Sequence, residues 1–437
     1  MSILLTNAIL TDIDPPRVEV GCLRLADGHV AERGATLTRR PDDETTDCGG
    51  AVVLPGLVNG HTHLYSALAT GMPPPRVAPR NFREILERIW WRLDRALEAE
   101  TIELSARIGA LDALRCGTTT LIDHHASPTH IAGSLDLVER GLAAAGLRGV
   151  LCYETTDRHG AEGRRAGIEE NRRYLAQCAR RHDHRFAAMA GAHASFTLDD
   201  ESLAELTALA GQYGVGVHIH VAEDPCDEAD CRERRGTSLI NRLAVHGLLD
   251  ARAVFAHGTH LDAEAIARVN EVGPTLAHNP RSNMNNAVGY APVAEFRCPV
   301  MLGTDGIGGD MLAEAQHAWM ISRHQHAGLT PSDIVSMLAA AARRASSALG
   351  ITLGRLEPGA AADVVVTDYQ PATPMTADNL PGHLLFGLSS RNVRGVITAG
   401  EWRLRGGEVI GRDERGDRSA ARAAAERLWA RMGALPG

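Results

Sequence analysis

The chain has 437 residues, 44% hydrophobic and 23% charged, with a formal net charge of −9. That length allows a large barrel plus a smaller module, and the apolar content fills a sizeable core, which excludes a disordered chain. The negative balance gives no reason to expect nucleic acid or an anionic membrane surface as a partner, and no apolar run is long enough to cross a bilayer.

All 45 basic residues are arginine, and the sequence holds no lysine. This removes Schiff-base, P-loop and pyridoxal-anchoring chemistry, and with them a carbamylated lysine bridging two metals. The opening MSILLTNAIL lacks the basic region and long apolar core of a signal peptide. The eight cysteines form no CxxC pair. A reduced, cytoplasmic protein is expected.

Residues 1–54 read as short strands over 3–9, 18–25 and 28–32, punctuated by Gly, Asp and Pro. Residues 55–359 alternate short apolar runs with helical patterns. Strands are expected over 57–63, 120–123, 149–154, 187–193, 215–220, 253–257, 274–278 and 299–305. Helices are expected over 102–114, 135–145, 167–179, 201–214, 239–246 and 263–271. This alternation argues parallel pairing in an α/β fold, a (β/α)8 TIM-like barrel. After the first barrel strand, about 64–98 forms a long insertion. It holds Met72-Pro73-Pro74-Pro75 and then a helix with Phe82, Ile85, Ile89, Leu93 and Leu97 on its apolar stripe. Trp90 and Trp91 sit on that helix. A long loop at this rim suits a substrate lid, with Trp90 as a substrate contact; the stripe equally suits core or subunit packing and is compatible with a homodimer. Residues 360–437 return to strands at 363–367, 393–398 and 401–404, then to an Ala/Arg-rich helix over 418–432. Residues 1–54 and 360–437 are thus expected to assemble one small β-sandwich domain.

Most barrel strands end in a residue able to bind metal or move protons. His61 and His63 end the first, Asp123, His124 and His125 the second, and Glu154 the third. His193, His220, His257, His278 and Asp305 end the fourth to the eighth. Barrel enzymes build their sites at this rim. In His61-Thr62-His63, residues i and i+2 face one side of a strand, so both imidazoles can reach one ion.

The run Leu54-Pro55-Gly56-Leu57-Val58-Asn59-Gly60 before that pair, the His220…Glu223 spacing, the His257 strand, Thr304-Asp305, and Gly354-Arg355-Leu356-Glu357-Pro358-Gly359 before Ala362-Asp363-Val364-Val365 together resemble the amidohydrolase superfamily. Within it the chain is similar to the mononuclear, cytosine-deaminase-like branch of chlorohydrolases and aminohydrolases. Asn81-Phe82, Trp90-Trp91-Arg92-Leu93-Asp94, Asp123-His124-His125-Ala126-Ser127-Pro128 and Cys152-Tyr153-Glu154 resemble the SsnA aminohydrolases.

The resemblance implies one divalent metal per chain, Zn2+ with Fe2+ or Mn2+ as alternatives, held by His61, His63, His220 and Asp305. Three imidazoles and one carboxylate make an open, catalytic coordination that acidifies water. Asp305 would also accept a proton, His257 would sit beside the water, and Glu223 would protonate a ring nitrogen. His193, His278 and Asn283 are candidate substrate contacts. His218, one layer deeper than His220, reads as barrel packing and His260 as structural; His124 or His125 could orient a ligand. The loop at Gly308-Gly309-Asp310-Met311 is expected to be flexible.

The expected reaction is hydrolytic deamination of a small purine-, pyrimidine- or triazine-like heterocycle, cleaving a non-peptide carbon–nitrogen bond. The alternatives are ring opening of a cyclic amide or amidine, and a non-catalytic relative kept for binding or assembly.

Overall fold

The computed structural model describes residues 2–435. The two chain ends meet in one nine-stranded sheet. The N-terminal part supplies Ser2–Ile13, Pro16–Ala26, His29–Gly34, Asp43–Asp47 and Val52–Pro55; the C-terminal part supplies Val364–Thr367, Val393–Thr398, Glu401–Arg405 and Glu408–Val409. Val52–Pro55 is the seam. It lies parallel to Ser2–Ile13 on one side and antiparallel to Val364–Thr367 on the other. Leu5, Leu23, Val53 and Val364 bury one face of this sheet.

Gly56 alone separates the seam strand from the first barrel strand, Leu57–Thr62. Parallel neighbours continue the barrel at Thr118–His125, Arg148–Tyr153, Phe186–Ala188 with Ala190–Ala194, Val217–Val221, Val254–His257, Thr275–His278 and Val300–Leu302. The fourth strand, expected as one run, is interrupted at Met189, whose side chain packs with the buried cluster of Val58, Ile122, Val150 and Met301. Parallel bridges Thr155↔Ala192 and Thr62↔Asp305 complete the ring. The last closure needs close backbone approach. A Cβ on Gly60 would lie 2.7 Å from the Leu302 carbonyl oxygen, and one on Gly303 would lie 2.8 Å from His61 Cβ. Asn59 then ties the first strand to the eighth: its Nδ2 donates to Thr304 Oγ1 at 2.6 Å, and its Oδ1 accepts from the Thr304 amide at 3.1 Å.

The six expected helices appear at Ala99–Arg115, Ser134–Ala144, Gly160–Cys178, Asp200–Tyr213, Leu239–Val245 and Ala263–Val272. Pro225–Arg235, Met311–His324 and Pro331–Leu349 are further helices, not expected from the sequence. Pro225–Arg235 is almost wholly polar, burying only Asp227 and Cys231, so it carries no apolar stripe to read. The helix in the insertion is not continuous. Phe82–Ile85 and Trp91–Ala96 flank a wider π-type turn at Leu86–Trp90.

The C-terminal helix, Glu414–Ala434, is expected with the small β module but packs on the barrel side, against Ala99–Arg115 and Trp91–Ala96. Its small buried residues Ala421, Ala424 and Ala425 permit that close approach. Trp429 Nε1 donates to the Leu68 carbonyl and Arg431 Nε to that of Ala96, each at 2.9 Å. Arg92 reaches back to the carbonyls of Met432 and Leu435 at 2.8 Å. Among the described residues no helix is long and apolar enough to cross a membrane.

One buried ion pair joins barrel to sheet. Arg148, opening the third barrel strand, grips both oxygens of Asp363 at 2.9 and 3.1 Å, with each side chain 2% exposed. Removing one partner strands the other charge in the interior. Asp363→Ala should lower the free energy of unfolding by about 3–5 kcal/mol, measured as a shift in the urea midpoint.

Candidate metal centre

The four expected ligands converge at the C-terminal rim of the barrel. His63 Nε2 lies 3.0 Å from Asp305 Oδ1 and 3.1 Å from His220 Nε2, and His61 Nε2 lies 3.6 Å from Asp305 Oδ1. Metal–ligand bonds of about 2.0–2.1 Å would set neighbouring ligand atoms roughly 3.0–3.4 Å apart. The far nitrogens explain why the near ones face inward. His63 Nδ1 donates to the His124 carbonyl at 2.6 Å and His220 Nδ1 to the His193 carbonyl at 2.9 Å. His61 Nδ1 lies 2.9 Å from His218 Nε2. A neutral imidazole has one N–H, so a proton spent outward leaves a bare Nε2 lone pair inward. His61 Nε2 is buried with no hydrogen-bond partner among the described residues. The donor set therefore fits a divalent cation.

Electrostatics point the same way. Burial pushes His61 down to about 3 and His220 well below the ordinary imidazole value. Burial also opposes charge on His63, but the Asp305 carboxylate reverses it and raises the group to about 9. A positive charge is thus favoured between His63 and Asp305. Burial opposes ionisation of Asp305, yet hydrogen bonds from His61 and His63 hold it well below the usual carboxylate range.

Two sets of residues bring ligand atoms within 4.8 Å of one another: His61, His220, His257 and Asp305, and His63, His124, Glu154 and His220. They share His220. His63 and His220 each have a single bare nitrogen, so one ion at their meeting point uses both.

His257 and Glu223 stand at the open side. His257 Nδ1 donates to Asn283 Oδ1 at 2.8 Å, which leaves Nε2 bare, 3.5 Å from Glu223 Oε2 and 3.9 Å from Asp305 Oδ2. Burial, reinforced by the Asp305 charge, pushes the Glu223 carboxyl well above its ordinary value. Asn286 Nδ2 donates to Glu223 Oε1 at 3.4 Å, and Ser282 Oγ donates to Asp305 Oδ2. Ala222, His257 and Asp305 all have positive φ, at 50°, 77° and 53°. Non-glycine residues avoid that region, and its use here turns three strand ends toward one point.

The pocket over this centre is walled by Phe82, Leu86, Trp90, Trp91, Phe196 and Ile307 from the apolar side. His63, Glu154, His193, His220, Glu223 and Asp305 face it from the polar side. Trp90 and His193 are therefore where a substrate contact would be. His278 and Asn283 lie outside that lining. His278 is 1% exposed and lies away from the lining, packed edge-on to Tyr290. Asn283 is spent on His257 and, through Nδ2, on Thr259 Oγ1 at 3.2 Å. His218, read as packing, is the partner of His61; His260 Nε2 meets the Val288 carbonyl. The expected flexible loop is pinned: Thr304 Oγ1 donates to the Gly308 carbonyl and Thr118 Oγ1 to that of Gly309. Ser282 and Asn286 reach the site without a signal of their own in the sequence: nothing in spacing separates them from the other polar residues of their run.

The comparisons with known proteins agree with this geometry. The sequence profile of the Amidohydrolase family matches residues 52–403. The 5′-deoxyadenosine deaminase of Methanothermobacter thermautotrophicus is 29% identical over 98% of this chain and 99% of its own. The 5-methylthioadenosine/S-adenosylhomocysteine deaminase of Moorella thermoacetica is 31% identical over 93% and 95%. Two solved structures share the fold. A zinc-bound adenosine deaminase from Xanthomonas campestris aligns with TM-score 0.84 at 23% identity, covering 99% of each chain. The atrazine chlorohydrolase TrzN of Arthrobacter aurescens with zinc aligns with TM-score 0.81 at 20% identity, covering 97% of this chain and all of that one. This chain belongs to the amidohydrolase family and is a hydrolase of carbon–nitrogen bonds.

Two variants separate holding the ion from using it. His61→Ala should abolish bound metal and activity together, by elemental analysis and assay. Asn283→Ala should keep the metal but release the His257 ring, lowering kcat roughly 10–100-fold.

Proposed function

We propose that this protein is a mononuclear, metal-dependent aminohydrolase that releases ammonia from a small nitrogen heterocycle. The observation that carries it is the buried Glu223, its carboxyl pushed well above the ordinary carboxylate range, beside the bare His257 Nε2 and the ionised Asp305. Proton donor and proton acceptor face one pocket, as addition of water to an amidine carbon requires.

His61, His63, His220 and Asp305 would hold the ion, and three nitrogens with one carboxylate oxygen suit Zn2+ while also accepting Fe2+ or Mn2+. When bound, the ion supplies Lewis acidity that lowers the pKa of water from about 15.7 to roughly 7. Asp305 Oδ2, oriented by Ser282, accepts the proton of the attacking water. His257 Nε2 accepts a second hydrogen bond and fixes that water's direction. Glu223 gives its proton to the ring nitrogen next to the attacked carbon, so the ring does not build up negative charge. The proton on Asp305 then passes to the exocyclic nitrogen, the carbon–nitrogen bond breaks and ammonia leaves; the proton remaining on the added hydroxyl returns to Glu223 as the oxo group forms. The aromatic wall from the insertion stacks a planar ring and keeps bulk water out. The relatives named for deamination of adenosine derivatives support this chemistry.

The test is product analysis on the metal-loaded protein across amino-substituted purines, pyrimidines and triazines. Ammonia with an intact ring chromophore is expected; ring opening without ammonia overturns the reading. Glu223→Gln should keep its metal and lose at least about 100-fold in kcat.

A further inference from the structure

We propose that Glu154 and His193 form a donor-reading wall, so that the substrate carries an N–H edge in addition to the amino group that is replaced. This rests on the aminohydrolase reading above and narrows its substrate.

Both residues line the pocket, Glu154 from the end of the third barrel strand and His193 from the fourth. Glu154 is 4% exposed. Its Oε1 lies 3.5 Å from His193 Nε2 and 3.8 Å from an Arg158 nitrogen, and its Oε2 lies 3.4 Å from His124 Nδ1. Proton accounting shows what these neighbours offer. Thr197 Oγ1 donates its only proton to the Ala194 carbonyl at 3.1 Å, so the 2.6 Å contact from His193 Nδ1 has its proton on His193. His193 Nε2 is then a bare acceptor. His124 Nε2 donates to the His218 carbonyl at 3.2 Å, so His124 Nδ1 is bare as well, and it has no hydrogen-bond partner among the described residues. Arg158 Nε donates to Thr156 Oγ1 and its Nη2 to Asp94 Oδ2, while the same Nη2 forms a longer ion pair with Glu154. Glu154 thus has the Arg158 guanidinium 3.8 Å away but accepts no close hydrogen bond from a described residue.

A buried carboxylate in that state is costly until donors arrive. His124 is sealed from the pocket, so the open acceptors are Glu154 and His193 Nε2, side by side at 3.5 Å. An N–H donor other than the reacting amino group, either a second exocyclic NH2 or a ring N–H, matches such a pair. Glu223 stands on the His257 side of the centre, whereas the Glu154 carboxylate stands on the His63 and His220 side. One carboxyl therefore gives a proton to the ring and the other receives hydrogen bonds from it. A diamino or amino-oxo base supplies the required edge. The base of 9-methyladenine does not, because beyond its reacting amidine it offers only ring acceptors. A wall built for donors rejects a ligand lacking them far more strongly than an apolar wall rejects a missing methylene.

The test uses the metal-loaded native protein and Glu154→Gln, with 2,6-diaminopurine, guanine and 9-methyladenine as probes. Metal content, Kd by calorimetry and ammonia release are measured for each. The expected result is that the native protein binds 2,6-diaminopurine or guanine at least about 100-fold more tightly than 9-methyladenine. Glu154→Gln should keep its metal and lose most of that preference. Tighter or equal binding of 9-methyladenine by the native protein, or an unchanged preference in Glu154→Gln, overturns the donor wall. Ammonia release is read separately. A binding preference without ammonia from any probe that binds overturns deamination while leaving the wall standing.

Discussion

The site depends on where a few protons are placed. His63 and His220 each spend their N–H on a strand carbonyl, and His61 meets His218 in the layer below. Their other nitrogens then converge on the ionised Asp305, where a positive charge is favoured. Lone pairs 3.0–3.6 Å apart repel unless a cation lies among them. The barrel supplies the carbonyls at the heights where those rings need them, so the backbone of one strand sets the tautomer of a ligand on the next. Cation affinity is therefore a property of the strand register and not of the histidines alone.

That register is held by features with no chemistry of their own. Gly60 and Gly303 let the first and eighth strands approach, and Asn59 fastens them. The positive φ of His257 and Asp305 stores backbone strain at the two strand ends that must turn inward. Such strain persists only where the surroundings over-determine it. Here the surroundings are the Asn283 contact to His257 and the Ser282 contact to Asp305, both from the helical turn after the seventh strand.

Much of this is legible in the sequence because strand-end position is legible. An apolar run ending in His or Asp marks its own last residue, so the ligands and Glu223 can be placed from spacing and motif order. The loops and turns beyond the strand ends are harder to read. The run from His278 to Asn286 is dominated by polar residues, and nothing in composition shows that Asn283 turns to His257, Ser282 to Asp305 and Asn286 to Glu223. His278 misleads for a related reason: a strand-end histidine reads as functional, and only burial separates it from the pocket. The polar helix Pro225–Arg235 and the packing side of the C-terminal helix escape because neither is encoded by hydrophobic period.

The packing side of that C-terminal helix bears on specificity. Trp429 and Arg431 bond carbonyls of the insertion, and Arg92 of the insertion bonds carbonyls at the end of the helix. The insertion that presents Trp90 and Trp91 to the pocket is thereby held from behind. A wall fixed in this way adds little ordering cost when a ring stacks on it. It also cannot adjust to a ring of the wrong polarity, so discrimination falls to the rigid acceptors across the pocket, Glu154 and His193. Clamping the insertion and leaving that carboxylate without a close hydrogen bond act together: the first fixes the plane of the ring, and the second fixes which of its edges faces the barrel wall.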